Sequence, residues 1–222
     1  MLKEKSDLRL YVDSADVKDW KVYLGTGIFY GVTTNPKLIK QAGIKFEIDQ
    51  LSGLAHTAFD LGANEIHMQV WGRETENMLK VGRELAAIDS RVMVKVPINL
   101  PGILCAKELI NEGVNVTLTA VHTAEQVIIA AALGARYAAP YLGRMTDSGS
   151  NGLQEVVKMG AIGQSLKSPL RVLVASIRKS SYLAMLAVQG LNAFTIVPSI
   201  IDELLENELT DMAVESFESV VD

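Results

Sequence analysis

The sequence predicts an α/β fold, a single (β/α)8 TIM barrel with an appended C-terminal helix, and three observations predict it. Short runs rich in Val, Ile, Leu and aromatic residues recur along the chain, each followed by a stretch of helical character, the order of repeated βαβ units. These runs number about eight, as a closed parallel barrel requires. The length of 222 residues suits one domain of that class and not two packed halves. A doubly wound open sheet is the alternative, but it usually carries a glycine-rich phosphate turn after its first strand, and Val12-Asp13-Ser14-Ala15-Asp16 is no such turn.

In chain order, strands are expected at residues 8–12, 30–33, 65–70, 92–96, 114–118, 137–141, 172–175 and 194–197, each a short apolar run bounded by polar breaks. Helices are expected between them, among others at 101–112, 123–133 and 180–189. Gly113, Gly134 and Gly190 stand where those helices should stop, as residues free to turn left-handed. Residues 201–221 read as one or two acidic amphipathic helices after the last strand, able to cover the barrel or reach a neighbouring subunit. No Pro-rich linker, low-complexity tract or charge block marks a boundary, so residues 1–222 read as one catalytic domain with a helical extension from about residue 201.

Composition narrows the function classes. Hydrophobic residues make up 49% and charged residues 21%, which excludes disordered, collagen-like and coiled-coil chains. A net charge of −5 supplies no basic footprint for a phosphate backbone, so nucleic acid is not an expected partner. Cys105 is the only cysteine, which rules out an internal disulfide or a multi-cysteine zinc site and fits a reducing compartment. Residues 1–10 mix Lys3, Glu4, Lys5, Asp7 and Arg9 and lack the apolar stretch of a secretory signal. The most apolar helical stretch, residues 127–135, is shorter than the roughly 20 residues of a membrane span. The expectation is a soluble, cytoplasmic protein that does not enter membranes.

In a barrel, inward residues at the C-terminal strand ends line the active site, and parity identifies them. Tyr11 and Asp13 share a face in the first strand, His67 and Gln69 in the third, Met93 and Lys95 in the fourth. Asn115, Thr117 and Thr119 put a wholly polar face on the fifth strand, with Val116 and Leu118 opposite. The sixth ends Tyr141-Leu142-Gly143-Arg144, and the seventh runs through Val174 and Ser176 to Arg178. Lys95 stands out, because Val92-Met93-Val94-Lys95-Val96-Pro97 sets a lone amine in an apolar strand, and lysine is almost never buried without a partner. Desolvation and nearby cations activate such an amine to form an imine with a carbonyl substrate. The competing reading is an edge-strand lysine reaching solvent or pairing with Asp13.

Arg144, Ser176 and Arg178 fall near the ends of strands six and seven, where barrels often hold phosphate, and arginine with a hydroxyl suits a phosphate dianion. Two surface arginines in weak ion pairs are the alternative. His56, His67 and His122 are scattered without ligand spacing, so no metal is expected and a zinc-dependent aldolase is disfavoured. His67 reads as a core histidine before a ligand. His122 reads either as a substrate contact or as a helix cap.

These motifs resemble one family, the small transaldolases and fructose-6-phosphate aldolases, class I Schiff-base enzymes on a TIM barrel. The resemblance covers nearly the whole chain and rests on Leu10-Tyr11-Val12-Asp13-Ser14-Ala15-Asp16, Gly31-Val32-Thr33-Thr34-Asn35-Pro36, Val94-Lys95-Val96-Pro97, Asn115-Val116-Thr117-Leu118-Thr119, Ala139-Pro140-Tyr141-Leu142-Gly143-Arg144 and Ala175-Ser176-Ile177-Arg178. It implies that Lys95 forms the imine, that Asp13 and Asn35, beside Thr34, hold hydroxyls of a dihydroxyacetone unit, and that Arg144, Ser176 and Arg178 take the phosphate. Asn115 and Thr117 match the family's polar strand beside the lysine, and Thr119 matches a threonine that helps place a catalytic water.

The resemblance also implies the reaction. Lys95 attacks C2 of a ketose phosphate such as fructose 6-phosphate, the iminium accepts electrons as C3–C4 breaks, and no cofactor is needed. Asp13, or a phenol and water, takes the C4 hydroxyl proton. Family transaldolases typically carry glutamate at Gln69 and phenylalanine at Tyr141, so both positions lean toward aldolase, with Gln69, Thr119 and Tyr141 set to protonate the three-carbon intermediate. Asn115-Val116-Thr117-Leu118 and Leu142-Gly143-Arg144 read instead like the transaldolase branch, which moves the unit to erythrose 4-phosphate in the pentose phosphate pathway. His122 departs from the aromatic that the aldolases often show. A sugar-phosphate-binding barrel without catalysis is the remaining alternative, since fold alone does not fix function. The family's rings of subunits imply a homo-oligomer, a decamer joined through the C-terminal helix.

Overall fold

The computed structural model describes residues 7–221. The expectation for residues 1–10 therefore falls partly on residues outside those described. The chain runs β1 (Arg9–Asp13), α1 (Val17–Gly25), β2 (Gly31–Thr33), α2 (Pro36–Gln41), α3 (Ile48–Asp60), β3 (Glu65–Gln69), α4 (Thr75–Ala86), β4 (Val92–Pro97), α5 (Leu100–Asn111), β5 (Val116–Val121), α6 (Ala124–Leu133), β6 (Tyr137–Pro140), α7 (Leu142–Asp147), α8 (Gly152–Ser165), β7 (Arg171–Val174), α9 (Ser181–Val188), β8 (Ala193–Ile196), α10 (Pro198–Leu205) and α11 (Glu208–Glu218). The eight strands are all parallel in sequence order, and β8 pairs with β1 to close the barrel. The predicted (β/α)8 barrel with a C-terminal helix is therefore the fold.

Local chemistry sets the element ends. Thr123 and Gln126 form a capping box at the start of α6, and Gly134 ends that helix at φ +78. Gly113 and Gly190 take φ +82 behind α5 and α9, as their positions in the sequence predict. β5 begins at Val116, two residues later than expected, because Val114 N–H still bonds the Leu109 carbonyl at 2.9 Å and so belongs to the last turn of α5.

The apolar core has two parts. The larger lies between sheet and helices, where Trp20 is fully buried and donates from Nε1 to the Ser14 carbonyl at 2.9 Å. Burying each such large side chain contributes about 1.5–3 kcal/mol. The smaller fills the barrel itself, from Tyr11, Met93, Tyr137, Leu173 and Ala193.

Beneath that inner layer a polar plug closes the N-terminal end. Gly31 pairs with Glu65, and a Cβ at Gly31 would lie 2.1 Å from the Glu65 carbonyl oxygen, so only glycine lets β2 and β3 approach here. The Glu65 carboxylate accepts the Tyr11 hydroxyl at 2.8 Å and the Tyr137 hydroxyl at 2.7 Å. Its other oxygen takes Arg9 at 3.1 Å and Arg136 at 3.2 Å. Burial alone would raise this carboxyl, but His67, Tyr137 and Tyr11 outweigh burial and hold it at about 2.

Parity predicts the inward residues of β1, β3, β4 and β5 but not of β7. There Leu173 faces the barrel interior and Val174 the outer core, the reverse of the expected face. Ser176 then takes φ +59, so strand parity does not carry through to Arg178.

α10 follows β8 directly, and α11 comes after it. α10 seats a fully buried Ile201 against the barrel and is tied to α1 by Tyr23 Oη donating to Asp202 at 2.7 Å. α11 buries none of its residues in this chain and exposes Leu209, Met212 and Phe217. Among the described residues, no helix is long and apolar enough to cross a membrane.

Candidate active site

The C-terminal ends of the strands bring most of the predicted site residues together. Lys95 lies near the end of β4 with 6% of its surface exposed, and its ammonium donates to the Thr34 carbonyl at 2.7 Å. That rules out an edge lysine reaching solvent, since β4 is paired on both sides, Gln69 beside Lys95 in β3 and Thr117 beside it in β5. Thr34 is anchored in turn, its N–H and its hydroxyl both donating to the His67 carbonyl at 2.9 Å. Thr34 thus serves Lys95 through its backbone.

Asp13 ends β1 and accepts the Thr33 hydroxyl at 2.7 Å. The Thr33 hydroxyl is shared with Thr195 of β8. Burial pushes the Asp13 carboxyl above the ordinary carboxylate range, while the Lys95 charge and the Thr33 hydrogen bond pull it part of the way back. A carboxyl so placed takes up a proton more readily than one in water, as an acid/base group must. Asn35 caps α2, its side-chain oxygen accepting from Lys37 N–H at 3.0 Å and Leu38 N–H at 3.1 Å. Its side-chain nitrogen makes no hydrogen bond to a described residue.

At the other side of the mouth, the Thr119 and Tyr141 hydroxyls lie 2.8 Å apart. A register shift between Thr119 and Val121, with Ala120 at φ +59, turns the chain here. His122 is exposed, stacks edge-on against Tyr141 at 5.6 Å and bonds the Ala120 carbonyl through Nδ1 at 2.8 Å. The helix cap considered for it belongs to Thr123 and Gln126 instead.

The segments that carry Arg144, Ser176 and Arg178 also meet. Gly143 N–H donates to the Ser176 carbonyl at 2.8 Å, and a Cβ on Gly143 would lie 2.4 Å from that oxygen and 2.6 Å from Arg178 Nε. Glycine is therefore what lets the loops after β6 and β7 meet. The Arg144 guanidinium lies over the Tyr141 ring at 4.8 Å. Arg178 makes an exposed pair with Asp147 at 3.1 Å, a contact of small worth that a bound anion can displace.

One predicted residue is not in this group. Asn115 precedes β5 at the plugged end, where its oxygen accepts from Arg136 at 3.3 Å, because strand polarity places it two residues below Thr117. Sequence reasoning in turn missed Glu65, although it shares the parity of His67 and Gln69 and one step further along the strand finds it. Among the described residues no group of three or more His, Cys, Asp or Glu side chains is placed to hold a metal ion.

A parallel barrel carrying a buried amine and a carboxyl at its C-terminal mouth has the arrangement that barrel enzymes use. Residues 10–222 match the Transaldolase/Fructose-6-phosphate aldolase family, and the chain belongs to it. It is 31% identical over 212 residues to a probable transaldolase of Phenylobacterium zucineum, covering 95% of this chain and 94% of that one. It is 34% identical over 211 residues to a probable transaldolase of Rhodospirillum centenum, with 95% and 89% covered. A probable transaldolase of Kosmotoga olearia is 32% identical over 210 residues, with 95% and 94% covered.

Proposed function

We propose that Lys95 forms an imine with the C2 carbonyl of a ketose phosphate such as fructose 6-phosphate, and that the enzyme breaks or makes the C3–C4 bond. The observation that carries this reading is the buried Lys95 amine held by the Thr34 carbonyl and flanked by Gln69 and Thr117. The amine adds to C2 and water leaves, giving an iminium. The C4 hydroxyl proton goes to a base, the C3–C4 electron pair moves into the iminium, and glyceraldehyde 3-phosphate departs from an enamine of dihydroxyacetone. Asp13 is the candidate base, supported by its raised affinity for a proton. Protonation at C3 and hydrolysis release dihydroxyacetone and return the amine, so the cycle calls on no cofactor.

Arg144, Ser176 and Arg178 are the proposed phosphate group, Asn35 and Asp13 the proposed hydroxyl partners. The Tyr141–Thr119 pair supports release of free dihydroxyacetone, because it sets a phenol and a water-holding hydroxyl at the mouth, with Gln69 as third member. The second reading is transfer of the unit to erythrose 4-phosphate, which the naming of the relatives as probable transaldolases favours. A second copy of this chain is the proposed partner, in a decamer joined through α11, and a cytoplasmic site of action is supported by the lone, buried thiol of Cys105.

Two measurements test these readings. Borohydride reduction with dihydroxyacetone followed by peptide mapping should label Lys95, and a label on another lysine, or none, rejects the imine. A coupled dehydrogenase assay of glyceraldehyde 3-phosphate from fructose 6-phosphate then separates the two activities. Release without erythrose 4-phosphate supports the aldolase, and release only with it supports the transferase.

A further inference from the structure

His67 is fully buried inside the barrel, between the plug and Lys95. Its Nδ1 lies 3.0 Å from the Thr117 hydroxyl. Its Nε2 has no hydrogen-bond partner among the described residues, and the nearest opposing group is the Glu65 carboxylate at 3.6 Å. Tyr11 and Tyr137 pack edge-on against the ring, with centroids 5.0 and 4.9 Å away. Burial, joined by the nearby Lys95 and Arg136 charges, keeps the imidazole neutral against the pull of Glu65. A neutral ring carries one proton, and facing a carboxylate that proton belongs on Nε2. Nδ1 is then an acceptor and must receive the Thr117 hydroxyl proton. The Thr117 oxygen keeps its lone pairs, and its neighbour in the β4–β5 register is Lys95, whose ammonium is held here by the Thr34 carbonyl.

We propose that His67 is a positioning residue for Lys95: fixed by Glu65 as the Nε2–H tautomer, it accepts the hydrogen bond of the Thr117 hydroxyl and so leaves the Thr117 oxygen as an acceptor for the Lys95 nitrogen once the substrate is bound. The nitrogen stays a hydrogen-bond donor as ammonium and as iminium, so one fixed acceptor serves both states. The Thr34 carbonyl meets the same nitrogen, and Thr34 itself rests on the His67 backbone. One histidine thus orients the reacting amine by its side chain and by its main chain.

The inference rests on the imine reading for Lys95, and the test separates the two. The rate of borohydride-trapped adduct at Lys95 is measured in a single turnover with dihydroxyacetone. His67→Phe keeps the ring packing and Thr117→Val leaves the plug intact, so Thr117→Val still reports if His67→Phe does not fold. Each is expected to slow trapping about tenfold, the worth of one hydrogen bond. The double variant is expected to be no slower than the slower single one, because both remove the same acceptor. Thr117→Ser, which keeps the hydroxyl, is expected to recover most of the rate lost in Thr117→Val. Undiminished trapping in Thr117→Val, or losses that multiply in the double variant, overturn the role of His67 while leaving the imine in place. No Lys95 adduct in the unsubstituted protein overturns the imine reading and this inference with it.

Discussion

The Tyr141 hydroxyl lies 2.8 Å from that of Thr119, so a residue of β5 and one just past β6 share one hydrogen bond at the barrel mouth. Tyr141→Phe removes one of them and changes no packing volume. Under the aldolase reading, free dihydroxyacetone release should fall about a hundredfold, the scale of one positioned acid, while transfer to erythrose 4-phosphate is retained. Product analysis with and without that acceptor checks this, and unchanged release rejects a role for the hydroxyl.

Arg144 and Arg178 should discriminate phosphorylated from unphosphorylated substrates. Replacing either by Ala is expected to raise KM for fructose 6-phosphate about tenfold or more, the worth of a charge-assisted hydrogen bond, and to leave KM for fructose almost unchanged. Equal effects on both sugars would count against a phosphate contact.

Acid sensitivity should begin with His67 and deepen with Glu65. The imidazole is held below its ordinary 6.5, so as pH falls through that value the unfolded chain takes the proton first and stability starts to drop. The Glu65 carboxyl is at about 2 against an ordinary 4.5, so its contribution is whole above 4.5 and disappears toward 2. Glu65→Gln should cost about 3 kcal/mol at neutral pH, since Arg9 and Arg136 lose their buried counter-charge, and should flatten the loss below pH 4.5. Urea midpoints taken from neutral to acid pH measure both, and parallel curves for the two proteins would refute the assignment.

α11 should hold subunits together. Leu209 is 76% exposed and Phe217 67%, an apolar face that no described residue covers. Deleting the residues after Leu209 is expected to lower the assembled mass by light scattering, and an unchanged mass argues against the contact.

The barrel was legible because its signals are local. Strand spacing, the glycines at 113, 134 and 190, and the parity of Asp13, Lys95 and Thr119 depend on neighbours in sequence alone. Asn115 was misplaced because parity says which face a residue takes and not how high along the strand it stands, a height that pairing with Arg136 reveals. β7 was misread because Ser176 is itself left-handed, and a backbone turned by one positive φ ends the alternation. The Glu65–His67–Thr117 column was hidden for a different reason. Its members come from two strands and its partners Tyr11 and Tyr137 from two more, so only closure of the sheet makes them neighbours.

The Glu65 plug has a consequence for the order of events. With Arg9, Arg136, Tyr11 and Tyr137 gathered on one carboxylate, the barrel is a flask stoppered at its base. Under the imine reading, whatever reaches Lys95 leaves by the neck through which it came, so one aldehyde departs before another arrives. Two carbonyl partners would be served in turn, with the enzyme holding a modified form between visits, the traffic pattern of a ping-pong catalyst.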